Sequence, residues 1–418
     1  MVDVKAKMLS PFRVLDLSDE SGYLCGRILG DLGADVIKVE PPCGDAGRTH
    51  GPFYKDDPEP EKSLYWIAYN INKRGITLDI NQQTGREILK KMIAKADFII
   101  EAFEPGFMDG LNLGYSELKK INPKIVMTSI TPYGQTGPYA HYKASDLEIM
   151  AMSGMMSIVG DPDRPPVRVS LPLAPMWTGM HAAMGTLMAH YYRTISGKGQ
   201  HLDVSSHASM LWALAHAPCF WDITRENTER AGSYVTGRSV TGAKMRAIFP
   251  CKDGFVNFII YGGPSGIRTN HNLALWMEEE GKGSEVLSQR DWKKFNIAMV
   301  TQEEIDAMEE PIAEFLKTKT RLEFFQEVIK RDMLGYPVAT AKDIREDPQL
   351  KERDFWKQIF FPEIGAEITF PGPFFKSTET ECGPRLKAPL IGEHNEKVYT
   401  ELGYTKEDLV VLKQAKVI

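Results

Sequence analysis

The feature that most constrains the fold of this chain is an early, repeated alternation of short apolar runs with amphipathic ones. RVLDLS (13–18) reads as a strand, SGYLCGRILGDLG (21–33) has helical spacing, and ADVIKVE (34–40) reads as a second strand. Strand, helix and strand at this spacing imply a right-handed parallel βαβ unit. The pattern continues with GITLDI (75–80) as a strand and TGREILKKMIAKA (84–96) as an amphipathic helix. DFIIEAF (97–103) and KIVMTSITPYG (124–134) follow as strands. Such alternation predicts an open α/β sheet, whose ligands bind in loops beyond the strand C-termini.

Beyond residue 146 the chain turns apolar and rich in Met and Ala, up to HYYRTISGKGQ, and 201–217 reads as a strand followed by a helix. Residues 222–247 are polar and weakly patterned, as expected of a linker. AIFPCKDGFVNFII (247–260) predicts a β-hairpin around Lys252-Asp253-Gly254, with helices following to about residue 331. The expected division is a large domain over 1–221, a linker over 222–247 and a small domain over 248–335. Residues 336–418 would then return to the large domain.

A chain of 418 residues exceeds what one small core organises. Its net charge of −6 argues against a nucleic-acid surface. No run of about 18 apolar residues marks a membrane span and no signal peptide is evident, so a soluble, cytoplasmic protein is expected. The five cysteines form no CxxC pair and the nine histidines no HExxH, so no metal site is expected.

The first βαβ unit invites a dinucleotide reading, with Glu40 where a ribose-binding acid would stand. Gly22, Gly26, Gly30 and Gly33 do not make G-x-G-x-x-G in the turn, and close helix–sheet packing explains them as well. Lys73 and Arg74 in a turn before a strand, and Arg48 in GDAGRTHGP, suit either phosphate contacts or solvated surface charge. Asp146, after the loop PYGQTGPY (132–139), suits either a helix N-cap or a working carboxylate.

Several segments, in order, carry a resemblance: DLGADVIKVEPPCGDAGR, NINKRGITLDI, PGFMDGLNLGY, TPYGQTGPYA, SDLEIMAMSG, SGKGQHLDVS, DPQLKERDFW and PLIGEHN. Together they resemble the family III CoA-transferases, the CaiB/BaiF family that includes formyl-CoA transferase and carnitine CoA-transferase. The resemblance spans about residues 11–414 and is weakest between about 220 and 335. It implies a Rossmann-like large domain formed by both chain ends, a smaller inserted α+β domain, and an interlocked dimer. The dimer would be a homodimer, or a heteromer with a paralogous subunit.

By the same resemblance Asp146 matches the family's catalytic aspartate, and Arg48, Lys73 and Arg74 fall in loops around the CoA phosphates. Glu101 and Phe103 lie where the adenine end is held, and Lys143 joins this CoA-binding set. Ser21, Gly22, Gly262, Gly263, Met155 and Met180 are assigned to the substrate and oxyanion loops. No cofactor is held permanently, because coenzyme A enters as a thioester substrate, with a carboxylic acid as acceptor. Asp109-Gly110 replace an arginine that some relatives carry near the nucleotide, and YGGPSG (261–266) looks like a shortened flap. The family's 2-methylacyl-CoA racemases carry a histidine before the matching aspartate and a second aspartate about thirty residues later. Here Ser145 takes the first place and LPLAPMW (171–177) holds no acid, which favours transferase over racemase. The methionines near Asp146 suit a bulky or aromatic acceptor acid, with Arg164 or Arg168 available for a second carboxylate.

Overall fold

The structure, a computed structural model, describes residues 7–418. Its chain divides into two compact units. The first comprises the described residues up to Met156, Arg168–Asn227 and Pro348–Ile418, and the second Ser157–Val167 and Thr228–Asp347.

Along the first unit run β1 (Arg13–Leu17), α1 (Tyr23–Asp31), β2 (Asp35–Glu40), α2 (Leu64–Asn70), β3 (Lys73–Thr77), α3 (Gln83–Ile93) and β4 (Phe98–Glu101). Then come α4 (Phe107–Gly110), α5 (Tyr115–Ile121), β5 (Val126–Thr131), α6 (Asp146–Met152), α7 (Leu173–Ser196), β6 (His201–Ser205), α8 (Ser206–Leu211) and α9 (His216–Thr224). The six strands form one parallel sheet in the order β3-β2-β1-β4-β5-β6. The strand order reverses between β1 and β4, the switch point at which open α/β sheets bind ligands.

Strand alternation explains the two layers. Leu15, Leu17, Ile37, Val39, Ile99 and Met127 face one core, with Ile88, Leu89 and Met92 of α3 and Leu118 of α5. Val14, Val36, Phe98, Ile100, Val126 and Ile130 face the other, with Cys25 and Leu29 of α1 and Ala182, Ala183 and Ala189 of α7. The α1 glycines serve close approach, as the packing alternative held. A Cβ at Gly26 would stand 2.2 Å from Asp16 Oδ2, and one at Gly30 3.0 Å from the Asn72 carbonyl oxygen.

The helix α7 is apolar on two sides. Small residues (Ala174, Thr178, Gly179, Ala182, Ala183, Thr186, Ala189) are buried, whereas Met180, Met184, Met188, Tyr191, Tyr192 and Ile195 are exposed. No helix among the described residues is long and apolar enough to cross a membrane.

The second unit holds β7 (Tyr234–Val235), β8 (Met245–Arg246), β9 (Ile248–Cys251), β10 (Gly254–Asn257), α10 (Gly263–Glu279), α11 (Glu285–Ser288), α12 (Gln302–Leu316), α13 (Arg321–Lys330), β11 (Tyr336–Pro337) and α14 (Ala341–Glu346). β9 and β10 form the expected hairpin, joined by Lys252-Asp253, and β11 extends the sheet beside β10. Its core gathers Phe249, Phe258, Trp276, Phe315 and Phe324.

The chain returns to the first unit through α15 (Pro348–Glu352), β12 (Trp356–Phe361), β13 (Ala366–Pro371), α16 (Asn395–Glu401) and α17 (Lys406–Gln414). The return is bonded across the edge strand: the Gly75 N–H donates to His394 Nδ1, the Thr77 N–H to Asn395 Oδ1, and the Tyr399 hydroxyl to the Thr77 carbonyl.

Two sequence expectations shift. Residues 222–247 are not a free linker, because they hold the end of α9 and both strands of the β7–β8 ladder. Ser157–Val167, expected in the large domain, groups with the second unit: the Gly232 N–H donates to the Gly160 carbonyl, and Arg230 donates to the carbonyls of Ser157, Asp161 and Arg164.

Candidate active site

Two adjoining cavities open at the strand C-termini of the first unit. One, of about 260 Å³, is lined by residues that include Asp19, Ser21, Phe103, Lys143, Asp146 and Ala174. The other, of about 360 Å³, includes Leu78, Asp79, Ile80, Asn81, Phe103 and Phe107. They share Asp19, Ala102 and Phe103, the loops after β1 and β4 at the switch point.

Asp146 lies in the first cavity as the first residue of α6. The N-cap is Ser145: its Oγ accepts from Leu147, and Glu148 reaches back to the Ser145 N–H at 2.7 Å, a capping box. Ser145 thereby frees the aspartate from the capping role the sequence allowed it. Asp146 Oδ1 accepts the Ala174 N–H at 2.9 Å, in the first turn of α7, and Oδ2 lies 3.6 Å from Arg168 Nη1. The side chain keeps 14% of its exposure. Ile149, Met150, Ala174 and Met210 form an apolar cluster beside it, against which Met155, Met156 and Trp177 pack. Trp177 Nε1 is buried without a hydrogen-bond partner.

The remaining expected site residues separate into groups. Ser21, Phe103 and Lys143 line the Asp146 cavity. The Ser21 hydroxyl donates to Asp19 Oδ1 at 2.6 Å, and Lys143 pairs with Glu104 at 3.2 Å. Glu101 is buried behind Phe103, accepting its N–H at 2.8 Å, and burial pushes its carboxyl up to about 7. Gly22 is the N-cap of α1, where a Cβ would meet Ser18 at 2.4 Å. Met180 belongs to the exposed stripe of α7. Gly262 and Gly263 stand at the start of α10 in the second unit.

The three cations read as phosphate contacts or surface charge are each paired with carboxylates in this structure. Lys73 lies inside β3 rather than in a turn, fully buried, with its ammonium donating to Asp16 (2.7 Å), Asn70 (2.8 Å) and the Tyr23 carbonyl (3.0 Å). All three of its donors are taken. Burial lowers its pKa against the pull of Asp16. Burial alone would raise Asp16, but Lys73, Lys38 and the Ser18 hydroxyl outweigh it and hold the carboxyl low. Arg48 is buried too, forked onto Glu40 (2.6 and 2.8 Å) and bonded to Glu61 and the Pro389 carbonyl. Glu40 is thereby removed from any ribose-binding role. Arg74, half-buried, pairs with Asp35 and Glu401.

The sequence reading missed Asp19 and the segment Leu78–Asn81. Their signal was positional: they stand just after β1 and β3, where the loops of an open sheet form the crevice.

The matches to known proteins agree with this architecture. Residues 9–395 match the model of CoA-transferase family III. The subunit BbsE of succinyl-CoA:(R)-benzylsuccinate CoA-transferase from Thauera aromatica is 34% identical over 397 residues, covering 94% of each chain. Formyl-CoA:oxalate CoA-transferase from Streptomyces coelicolor is 31% identical, covering 99% of this chain and all of the relative. A crystal structure of a CAIB/BAIF family protein from Brucella suis superposes with a TM-score of 0.79 at 28% identity, covering 95% of this chain and 100% of that one. The chain belongs to CoA-transferase family III.

Proposed function

We propose that the chain binds an acyl-CoA thioester across the switch-point crevice and takes part in moving its CoA to an acceptor carboxylic acid, with Asp146 as the nucleophile. The observation that supports this is the pair of cavities meeting at Asp19, Ala102 and Phe103, one of which holds Asp146. An extended ligand fits this arrangement, with its nucleotide end over Leu78–Asn81 and its thioester near the aspartate.

In this reading Asp146 Oδ2, the oxygen not bonded to Ala174, attacks the thioester carbon, and the C–S bond breaks to release CoA thiolate. The thiolate attacks the aspartyl carbonyl of the mixed anhydride, freeing the donor acid and leaving an aspartyl-CoA thioester. The acceptor carboxylate attacks that thioester and again expels the thiolate, which closes on the acceptor acyl carbon and restores Asp146. No net proton moves. Each oxyanion requires donors, and the Ser21 and Gly22 N–H groups are not free for it in this structure, because both bond to Asp19. The apolar cluster of Met150, Met155 and Ile149 would keep water from the anhydride. An acceptor with a bulky or aromatic body suits that cluster, and the unpartnered Trp177 N–H suits a second carboxylate.

A second reading is favoured by the bond from the Ala174 N–H to Asp146. Here Asp146 clasps α7 to α6, and the nucleophile comes from a paralogous subunit. Two chains also suit the exposed apolar stripe of α7. Whether the copies interlock, and whether they are identical, belongs to the same proposal.

Trapping with borohydride or hydroxylamine during turnover, read by mass spectrometry, separates the readings. The first expects an adduct at Asp146 and a fall of about 1,000-fold or more in turnover for Asp146→Asn. An adduct confined to a co-purified paralogue, with turnover kept in that variant, sinks it and establishes the second.

A further inference from the structure

The wall shared by the two cavities is the loop after β4, and its anchor is a buried carboxylate that the proposed chemistry does not use. Glu101, the last residue of β4, is 3% exposed, and its Oε2 accepts the N–H of Phe103 at 2.8 Å. Ser129, paired in register with Glu101 on the neighbouring strand β5, lowers the same carboxyl through its hydroxyl. Ser129 Oγ in turn lies 2.8 Å from His201 Nε2 on β6. The ring of His201 stacks on Tyr115 at 5.7 Å with 20° between planes, and its other side meets solvent. Glu101, Ser129 and His201 therefore form a polar row across three adjacent strands, from the cavity wall to the surface.

We infer that Glu101 is a positioning residue for acyl-CoA: its charge state, relayed through Ser129 and His201, sets how firmly Phe103 is held between the two cavities. This rests on the reading that acyl-CoA occupies that crevice.

The chemistry of the row supports two settings. With Glu101 ionised, Ser129 donates to it and His201 donates Nε2–H to Ser129, while the Phe103 amide makes a charge-assisted bond. Such bonds are roughly twice as strong as neutral ones. With Glu101 protonated, the carboxyl donates to Ser129 and Ser129 donates to His201 Nε2, the exposed imidazole giving up its Nε2 proton to solvent and taking one on Nδ1, so both bonds along the row reverse while the Phe103 N–H still donates. The heavy atoms stay in place, but the Phe103 N–H is left with a neutral acceptor and a weaker hold.

The groups facing this row favour a transition near neutrality. Desolvation lifts the Glu101 carboxyl to about 7, Ser129 and the Phe103 amide oppose it, and Asp19 and Asp109 push the same way as burial. His201 is held below its ordinary value by desolvation, with Asp203 and Asp109 pulling it up. As the pH falls through about 7, Glu101 takes up a proton and Phe103 loosens.

The test is equilibrium binding of acetyl-CoA to the full-length protein by calorimetry from pH 5.5 to 8.5. The wild type is expected to weaken about three- to tenfold as pH falls through 7. Glu101→Gln keeps the shape of the protonated form, so its affinity is expected to match the low-pH wild type at every pH. The ligand's own phosphate, with a second pKa near 6, contributes equally to both proteins and cancels in the comparison. Ser129→Ala removes a bond that favours the ionised form, so its inflection should move to higher pH, which a purely structural role would not produce. A wild type that binds with no inflection, or an inflection kept by Glu101→Gln, overturns the inference alone. Absence of acetyl-CoA binding at any pH overturns the proposed site and this inference with it.

Discussion

Lys73 shows how far one residue's role depends on a partner distant in sequence. Its charge is neutralised because Asp16, 57 residues earlier, stands two residues further along on the next strand but one. Removing one member of a buried pair leaves an uncompensated charge and typically costs about 3–5 kcal/mol. Lys73→Met is therefore expected to lower the thermal midpoint of the first unit by roughly 6–20 °C, at about 2–4 °C per kcal/mol. Adding Asp16→Asn should recover part of that loss, as scanning calorimetry can show. A midpoint unchanged by Lys73→Met would mean that the pair is not buried as described. No local pattern in NINKRGITLD distinguishes a buried lysine from a solvated one, so the sequence left Lys73 and Arg48 among surface or phosphate-binding charges. The S-x-x-E box at Ser145 and Glu148 is different, because every group that makes it lies within four residues. The sequence carries it complete, overlapping an aspartate that by residue type alone suits the same cap.

At the scale of elements, α7 carries the most information about assembly. One face of small residues lets α1 approach closely, so that a Cβ at Gly179 would sit 2.9 Å from Leu24 Cβ. The opposite face carries Met180, Met184, Met188 and Ile195 at helical spacing, all of them exposed. A helix apolar all round is normally buried all round, and large exposed apolar patches mark interfaces. On the proposal that a second chain covers this stripe, Met184→Glu with Met188→Glu should yield a folded single chain, seen as a halved mass in sedimentation with unchanged circular dichroism. An unchanged mass would remove α7 from the interface. The strands β1, β2, β4 and β5 were legible to within a few residues because parallel strands buried on both faces read as apolar runs. The strand β3 was misplaced by two residues at its start, since its first two side chains are charged and neutralised in the interior. The excursion 157–167 was not legible, because DPDRPPV carries no periodicity and its partners lie near residue 230.

For the molecule as a whole, the first unit is closed by its last residues. The Pro389 carbonyl accepts from both Arg48 and Trp66, and Val398 and Tyr399 complete the core under β3. Ending the chain at Leu386 is expected to abolish the near-ultraviolet circular dichroism of the first unit and its cooperative unfolding. A truncated chain that retained both would show the tail to be an accessory. The same closure has a consequence during synthesis. Gly75 and His394 are bonded across 319 residues. At about 5–20 residues per second, the ribosome takes roughly 15–60 s to deliver the second after the first. For that interval the edge of the nascent sheet is open and the Arg48 guanidinium lacks one of its acceptors. A chaperone, or another chain able to pair with that edge, has its opportunity then, before the protein's own C-terminus arrives to shut it.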